Sequence, residues 1–335
     1  MNKRERFEAF LNNQPVDRVP VAFFHHYMTV DEYLTGLAHP HLFKRMVDGH
    51  WESRQHFDPD FLKIMNDVLQ MMPLTNIENV KCAADLKQVT PPAMDSPFVE
   101  KTKELTEGVL EFFKDEDIPS LSTGFSPVND LYYDLMFGDL THRDGMANLF
   151  AEDPEVTADC LKRIAEMKTE LNLLLMKEFG LDGIYFSVMN QNQLIPDEQY
   201  DKYIVPIEKE MVSAITEQGV CFLHICGYEN RVNNLDLFKD YKPSAVNWAV
   251  HTEGLSLKDG KDFFGGIAVM GGFEQATTIY KGTKEEIKAE VKDILTGAGQ
   301  IGVAIGADCT TPEDVDETHF VWVREAAEEF AAGNK

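Results

Sequence analysis

Short apolar runs alternate with longer amphipathic stretches along the 335 residues. Eight runs are short and rich in Val, Ile, Phe or Leu: Val19–Phe24, Phe61–Met65, Ile118–Thr123, Gly183–Val188, Val220–Cys226, Ala245–Val250, Ile267–Gly271 and Gly302–Asp308. Consecutive apolar positions of this kind suit strands covered on both faces. The stretches between them carry helix-end signals. Asp153-Pro154 reads as an N-cap followed by Pro at the first helical position, and Gly180 closes that helix. Within it Leu161, Ile164, Ala165, Leu171, Leu174 and Leu175 recur at helical spacing. Thr283 with Glu286 forms a capping box opening a helix over Lys284–Leu295. A helix over about 206–218 ends at Gly219, and Thr311-Pro312 is expected to open the last helix, with Val315, Phe320, Val323 and Ala327 facing a core.

Eight strands interleaved with helices predict an α/β fold, a (β/α)8 TIM-type barrel. A doubly wound open sheet is the runner-up. No GxGxxG follows an early strand and no GxxxxGK[ST] is present, which counts against nucleotide-binding versions of that fold. The segment 66–117 is the least regular. It is expected to form a helical excursion beside or over the barrel mouth, with helices over Ala83–Val89 and Phe98–Lys114. The expected fold is therefore a barrel with additional helices near the N-terminal third. There is no Ser/Gly/Pro-rich linker and no fixed-period repeat, so 1–335 reads as a single enlarged barrel domain.

Charge narrows the partners. Lys+Arg total 31 against 57 Asp+Glu, a formal net charge of −26. That excludes a general phosphate-backbone binder and docking on an anionic membrane leaflet. The N-terminal MNKRERFEAFLNN lacks the apolar core of a signal peptide, and no apolar run approaches the roughly 20 residues of a membrane span. The five cysteines are odd in number and sparse, unlike a disulfide framework, so a cytoplasmic location is expected.

The strongest local chemistry lies in Phe222-Leu223-His224-Ile225-Cys226-Gly227. In a strand, His224 and Cys226 project to the same side. Both fall at the strand's carboxyl end, where a β/α barrel places its active site. An imidazole and a thiolate so placed suit a borderline metal such as zinc. A catalytic zinc takes three protein ligands and one open position. Cys309, after Ala304-Ile305-Gly306-Ala307-Asp308, is the natural third, because the two strands approach across the mouth of a closed barrel. The plainer alternative is that these are a buried small hydrophobe and a satisfied histidine. Cys221 has opposite parity to Cys226 and should face the helices, while Cys160 and Cys82 fall on expected helices; all three read as structural.

These motifs resemble the uroporphyrinogen decarboxylase superfamily, and within it the zinc-dependent methylcobamide:coenzyme M methyltransferases and their corrinoid-dependent relatives. The resemblance runs along most of the chain. Arg4–Phe10 with Pro15-Val16-Asp17-Arg18-Val19-Pro20-Val21 resembles the opening helix and first strand. Glu178-Phe179-Gly180-Leu181-Asp182-Gly183-Ile184 resembles the entry to the fourth strand. His224-Ile225-Cys226-Gly227 and Gly306-Ala307-Asp308-Cys309 resemble the zinc motif, and Gly271-Gly272-Phe273 and Gly282-Thr283-Lys284-Glu285-Glu286-Ile287 resemble late turns. The decarboxylases carry an Arg-rich loop after the first strand, to hold a substrate with many carboxylates. Here that position reads Phe23-Phe24-His25-His26-Tyr27-Met28, and the whole chain has nine arginines, so the resemblance favours the methyltransferases. After Cys309 the chain goes directly to Thr310-Thr311-Pro312, a shorter connection than many relatives have.

The resemblance implies a zinc-dependent methyltransferase. It would move a methyl group from a methylated corrinoid, carried by a corrinoid protein, to a small thiol activated as a zinc thiolate. His224, Cys226 and Cys309 would hold the zinc. Asn190 and Gln191 are candidates for positioning the acceptor, with His25 and Asp308 as further substrate-side candidates. Asp308 adjoins Cys309 and fits a supporting role. His26, His251, Glu253 and Glu274 also fall near expected strand ends. The resemblance allows a homodimer. It leaves three rival readings: a corrinoid-dependent demethylase of a methoxylated or methylamine-type donor, a decarboxylase, and a non-catalytic zinc or corrinoid binder.

Overall fold

The computed structural model describes residues 1–335 apart from 30, 31, 33–35, 71, 137–144, 228 and 334–335. Among the described residues seven strands form one parallel sheet in chain order: β1 Leu62–Ile64, β2 Ser120–Phe125, β3 Gly183–Val188, β4 Val220–Ile225, β5 Ala245–Trp248, β6 Ala268–Phe273 and β7 Val303–Ala307. Each corresponds to an expected apolar run. This sequential parallel order, with helices in the connections, is consistent with a TIM-type barrel.

The first expected strand behaves differently. Val19–Phe24 makes no continuous ladder but one isolated parallel bridge, Val21 to Ile305, and His25 just beyond it makes a second, to Thr311. Pro20 has no N–H to give, although its carbonyl accepts from Ile305 N at 2.9 Å. On the other side the Val21 carbonyl accepts from Asp60 N at 3.1 Å, while the Val21 N–H donates to the Asp60 carboxylate at 2.7 Å. A side chain thus replaces the neighbouring strand's backbone. The segment spans between β7 and the residues just before β1. Gly306 permits the close approach on the β7 side, because a Cβ there would lie 2.8 Å from the Ala22 carbonyl and 2.1 Å from Met270 Cε.

Asp60 also holds a buried charge cluster. It accepts from Arg6 Nη1 at 2.8 Å and Arg18 Nη2 at 3.1 Å, and is 1% exposed. Two guanidiniums and one backbone N–H therefore share one carboxylate, which ties the N-terminal helix to both ends of the sheet.

That helix, α1 (Lys3–Leu11), begins with a capping box between Asn2 and Glu5. Phe7 and Phe10 are buried against inward-facing sheet residues, with ring centroids 5.0 Å apart for Phe7–Phe61 and 6.3 Å for Phe10–Phe222. Leu121, Tyr185, Phe222, Ala245, Ala268, Met270 and Ala304 complete this inner cluster. Alternate residues, such as Ile64, Ile184, Phe186, Leu223, Ile225, Val246 and Trp248, pack outward among the helices. The period of two thus separates an inner core from an outer one.

The principal remaining helices are α2 (Pro40–His56), α3 (Pro97–Glu111), α4 (Pro127–Met136), α5 (Gly145–Glu152), α6 (Pro154–Phe179), α7 (Val205–Thr216), α8 (Leu257–Phe263), α9 (Lys284–Ala298) and α10 (Thr318–Gly333). The expected caps are present: Asp153 accepts from Val156 N, Gly180 is left-handed at φ 67°, and Thr283 and Glu286 cap each other. The segment 66–117 holds the 3₁₀ turns Asp67–Leu69, Ile77–Asn79 and Ala83–Gln88, followed by α3.

Thr311-Pro312 does not open the last helix. The Thr311 N–H donates to the Phe24 carbonyl at 2.9 Å, and its own carbonyl accepts from His26 N, so both groups are spent on the bridge. The helix begins seven residues later, where Asp316 accepts from Thr318 N at 2.9 Å. Val315, Phe320, Val323 and Ala327 are nevertheless buried, as expected. Among the described residues no helix is long and apolar enough to cross a membrane.

Candidate metal centre

His224 lies near the carboxyl end of β4, and Cys226 just beyond it continues the pairing through its N–H to the Val188 carbonyl at 2.9 Å. Cys309 follows β7 by two residues. Their ligand atoms all lie within 4.8 Å of one another. His224 Nε2 is 3.7 Å from Cys309 Sγ. Tetrahedral zinc with bonds of about 2.3 Å to sulfur and about 2.0–2.1 Å to nitrogen sets those two atoms ~3.6 Å apart, so the donor set fits that ion. His224 is buried and the two cysteines half-buried, which leaves the sulfurs approachable.

The two sulfurs differ in acidity. Cys309 is drawn well below the usual thiol range, first because the Cys226 thiol donates to it, and then by its contact with His224. Cys226 is raised correspondingly by giving that hydrogen bond and by burial. A thiolate beside a second thiol and an imidazole is a ready ligand set.

The other ring nitrogen, His224 Nδ1, contacts Asn247 Oδ1 on β5. Asn247 is fully buried. Its Oδ1 also accepts from the Tyr185 hydroxyl at 2.9 Å, and its Nδ2 donates to the Met270 carbonyl at 3.0 Å and the Ala307 carbonyl at 3.2 Å.

Lys63, on β1, shares the inward parity of Phe61. Its ammonium lies 5.2 Å from the Phe24 ring centroid and 4.6 Å from that of Tyr185, whose ring is 5.4 Å from His224. Lys63 is 7% exposed, and among the described residues no hydrogen-bond acceptor is paired with its ammonium. Burial pushes it down to about 8, opposed by the charges of Cys309, Asp67 and Cys226. Neither Asn247 nor Lys63 was among the expected site residues. Each is a lone polar side chain at an inward position of an otherwise apolar run, and that parity is the signal that identifies them.

The remaining candidates separate. Gln191 comes to the centre: its Nε2 donates to the Cys226 carbonyl at 3.0 Å and lies 3.5 Å from Cys226 Sγ. Asp308 is buried, accepts from His251 N at 3.1 Å, and leaves Oδ1 without a partner; burial raises it to about 7. Asn190 closes its own loop, donating to the Ile195 carbonyl and Asp197 while accepting from Ile195 N. His25 faces outward, with Val21 and Phe23, and its Nε2 meets Glu317 at 2.6 Å. His26 pairs with Asp67 at 3.0 Å, and His251 contacts the Gly272 carbonyl. Glu253 accepts from Asn233, and Glu274 sits half-buried after β6. Cys221 and Cys160 are buried in the outer core, and Cys82 caps a 3₁₀ turn.

Comparison with known proteins places the chain. The family profile described as Uroporphyrinogen decarboxylase (URO-D) matches residues 2–330. Two methylcobamide:CoM methyltransferases MtbA, from Methanosarcina mazei and Methanosarcina acetivorans, are each 25% identical to it, over 92% of this chain and 94% of theirs. A solved methyltransferase from Methanosarcina mazei superposes with a TM-score of 0.75 at 18% identity, covering 98% of this chain and 99% of that one. A B12-independent methionine synthase from Shewanella sp. W3-18-1 superposes at 0.60 with 13% identity, over 95% and 98% of the two chains. At those identities the two structures speak to the fold. A profile match over nearly the whole length settles the family: the chain belongs to the uroporphyrinogen decarboxylase family.

Proposed function

We propose that this protein is a zinc-dependent methyltransferase that takes a methyl group from a methylated corrinoid, presented by a corrinoid protein, and passes it to a small thiol. The observation that carries this reading is the convergence of His224 Nε2 and the sulfurs of Cys226 and Cys309 within 4.8 Å at the carboxyl ends of two strands. The near-complete overlap with methylcobamide:CoM methyltransferases supports it. On this reading 1–335 is one enlarged barrel, with Val19–Phe24 as its eighth, weakly paired strand.

Bound zinc would supply the chemistry of thiol activation, holding the acceptor sulfur as a nucleophilic thiolate near neutral pH. The protein's residues supply the rest. His224, Cys226 and Cys309 hold the ion. Gln191 directs an N–H toward the Cys226 sulfur and tempers its charge. Asp308 fixes the backbone leading into Cys309 through His251. Lys63, flanked by Phe24 and Tyr185, receives an anionic group on the acceptor.

The test is demethylation of methylcobalamin by the zinc-loaded protein with coenzyme M, homocysteine and small neutral mercaptans, followed by the cobalamin spectrum. Thiol-dependent loss of the methylcobalamin spectrum is the expected result. A spectrum that no thiol changes faster than in protein-free controls would overturn the reading.

A further inference from the structure

Asn247 is tied to four groups on four different strands. Its oxygen meets Tyr185 of β3 and His224 of β4, and its nitrogen meets the carbonyls of Met270 on β6 and Ala307 on β7. An amide nitrogen has two hydrogens and an amide oxygen two lone pairs, so every hydrogen-bonding position is used. The pattern also fixes which way the amide faces. Turning it over would set an oxygen against two carbonyl oxygens and an NH2 against the Tyr185 hydroxyl and the ring nitrogen. Its oxygen therefore faces His224, and an oxygen that only accepts requires a proton on Nδ1.

The consequence falls on the opposite nitrogen. A neutral imidazole with its hydrogen on Nδ1 carries a lone pair on Nε2, the atom that faces Cys309 Sγ at 3.7 Å. The same amide grips the Ala307 carbonyl, two residues before Cys309. One buried side chain thus selects the ring's tautomer and ties the strand bearing the imidazole to the strand leading to the distant thiolate. Nothing about β5 itself needs a polar residue there. Its neighbours Ala245, Val246 and Trp248 are fully buried and apolar, and a buried amide is tolerated only with its partners in place.

We propose that Asn247 is the positioning residue of the centre, locking His224 in the Nδ1–H tautomer so that Nε2 is presented as a ligand. The proposal rests on the reading of His224, Cys226 and Cys309 as metal ligands, but its main test needs no metal. The chain has ten histidines, so the His224 signals are assigned by comparing the 15N-histidine spectrum of the metal-free protein with that of His224→Gln. The wild type is expected to show a protonated, pyrrole-type Nδ1. Asn247→Leu, of similar size and without hydrogen-bonding groups, is expected to shift His224 toward the Nε2–H form and to weaken zinc at least tenfold in competition with a chelator. Asn247→Asp keeps the acceptor and loses both donors, so it should retain the tautomer and lose less zinc affinity. A wild-type His224 whose Nδ1 carries no proton overturns the proposal whether or not any variant folds. So does an Asn247→Leu protein with an unchanged tautomer and zinc affinity within twofold. A wild-type protein that shows the Nδ1–H ring yet binds no zinc would instead remove the metal reading and leave the lock standing.

Discussion

His224 Nε2 faces Cys309 Sγ at 3.7 Å across 85 residues of sequence, and the contact joins the carboxyl ends of β4 and β7. Neither residue comes from a local motif that would hold both. Their meeting depends on the curvature of the sheet, which returns its last strand toward its middle ones across the mouth.

If the three residues act together as ligands, none should be dispensable. Purified protein is expected to carry about one zinc per chain. His224→Ala, Cys226→Ser and Cys309→Ser should each lower occupancy to a small fraction, read by elemental analysis after gel filtration. Both cysteines are only half-buried, so their serine variants should unfold within a few degrees of wild type. Full occupancy in Cys309→Ser would defeat the three-ligand arrangement.

The parts legible in the sequence follow from short-range rules. Strands covered on both faces leave apolar runs, and Gly183–Val188 is matched residue for residue. His224 and Cys226 share a side because strands repeat every two residues. The misread parts depend on distant partners. Thr311-Pro312 has the form of a helix start, but the Phe24 carbonyl and His26 N–H claim the Thr311 backbone from nearly 300 residues away. His25 follows an apolar run as a site residue would, yet its parity sends it outward to Glu317. Asn247 and Lys63 were hidden because one polar residue in an apolar run looks like an exception until the facing strands are known.

Asp60 offers a test of how the Val21 segment is held. Asp60→Ala would leave buried Arg6 with Asp17 alone, half-buried Arg18 with the exposed Glu328 alone, and the Val21 N–H unpaired. Breaking a buried pair by removing one partner costs about 3–5 kcal/mol. Because Asp17 and Glu328 still face the two arginines, urea denaturation should show a loss near the lower end of that range, with Asp60→Asn intermediate because it keeps an acceptor. A loss below about 1 kcal/mol would mean that the β7 bridges alone hold the segment.

Glu208 predicts a pH dependence of stability. It is fully buried on α7 and accepts from Ser126, Tyr200 and Tyr241. Burial raises it from 4.5 to about 7, against the pull of those hydroxyls. The folded state therefore keeps the proton longer than the unfolded chain. The cost of ionisation is absent below the unfolded value, grows between about 4.5 and 7, and is complete above that. Stability should thus fall with rising pH through this window. Glu208→Gln abolishes the titration, so wild type minus variant should decline by up to about 3 kcal/mol between pH 4.5 and pH 8. Asp308 and Asp134, raised in the same direction, contribute equally to both proteins and cancel. Parallel stability profiles for the two proteins would place the proton elsewhere.

Lys63 predicts which thiols the centre prefers. A buried ammonium flanked by two rings, with no acceptor among the described residues, has three donors to offer an incoming anion. Lys63→Met keeps the length and removes the charge. It should weaken 3-mercaptopropionate at least tenfold in kcat/KM while changing 2-mercaptoethanol less than threefold, a difference of about 1.4 kcal/mol or more at the anion alone. A pH signature accompanies it. Burial lowers Lys63 to about 8, so its charge is present at pH 7 and largely lost at pH 9. The preference for the anionic thiol should therefore shrink across that range in wild type and stay flat in Lys63→Met. Taking the ratio of the two thiols removes most of the effect of their own ionisation. A wild-type ratio that is level from pH 7 to 9 and equal to the variant's would show that Lys63 does not meet the acceptor.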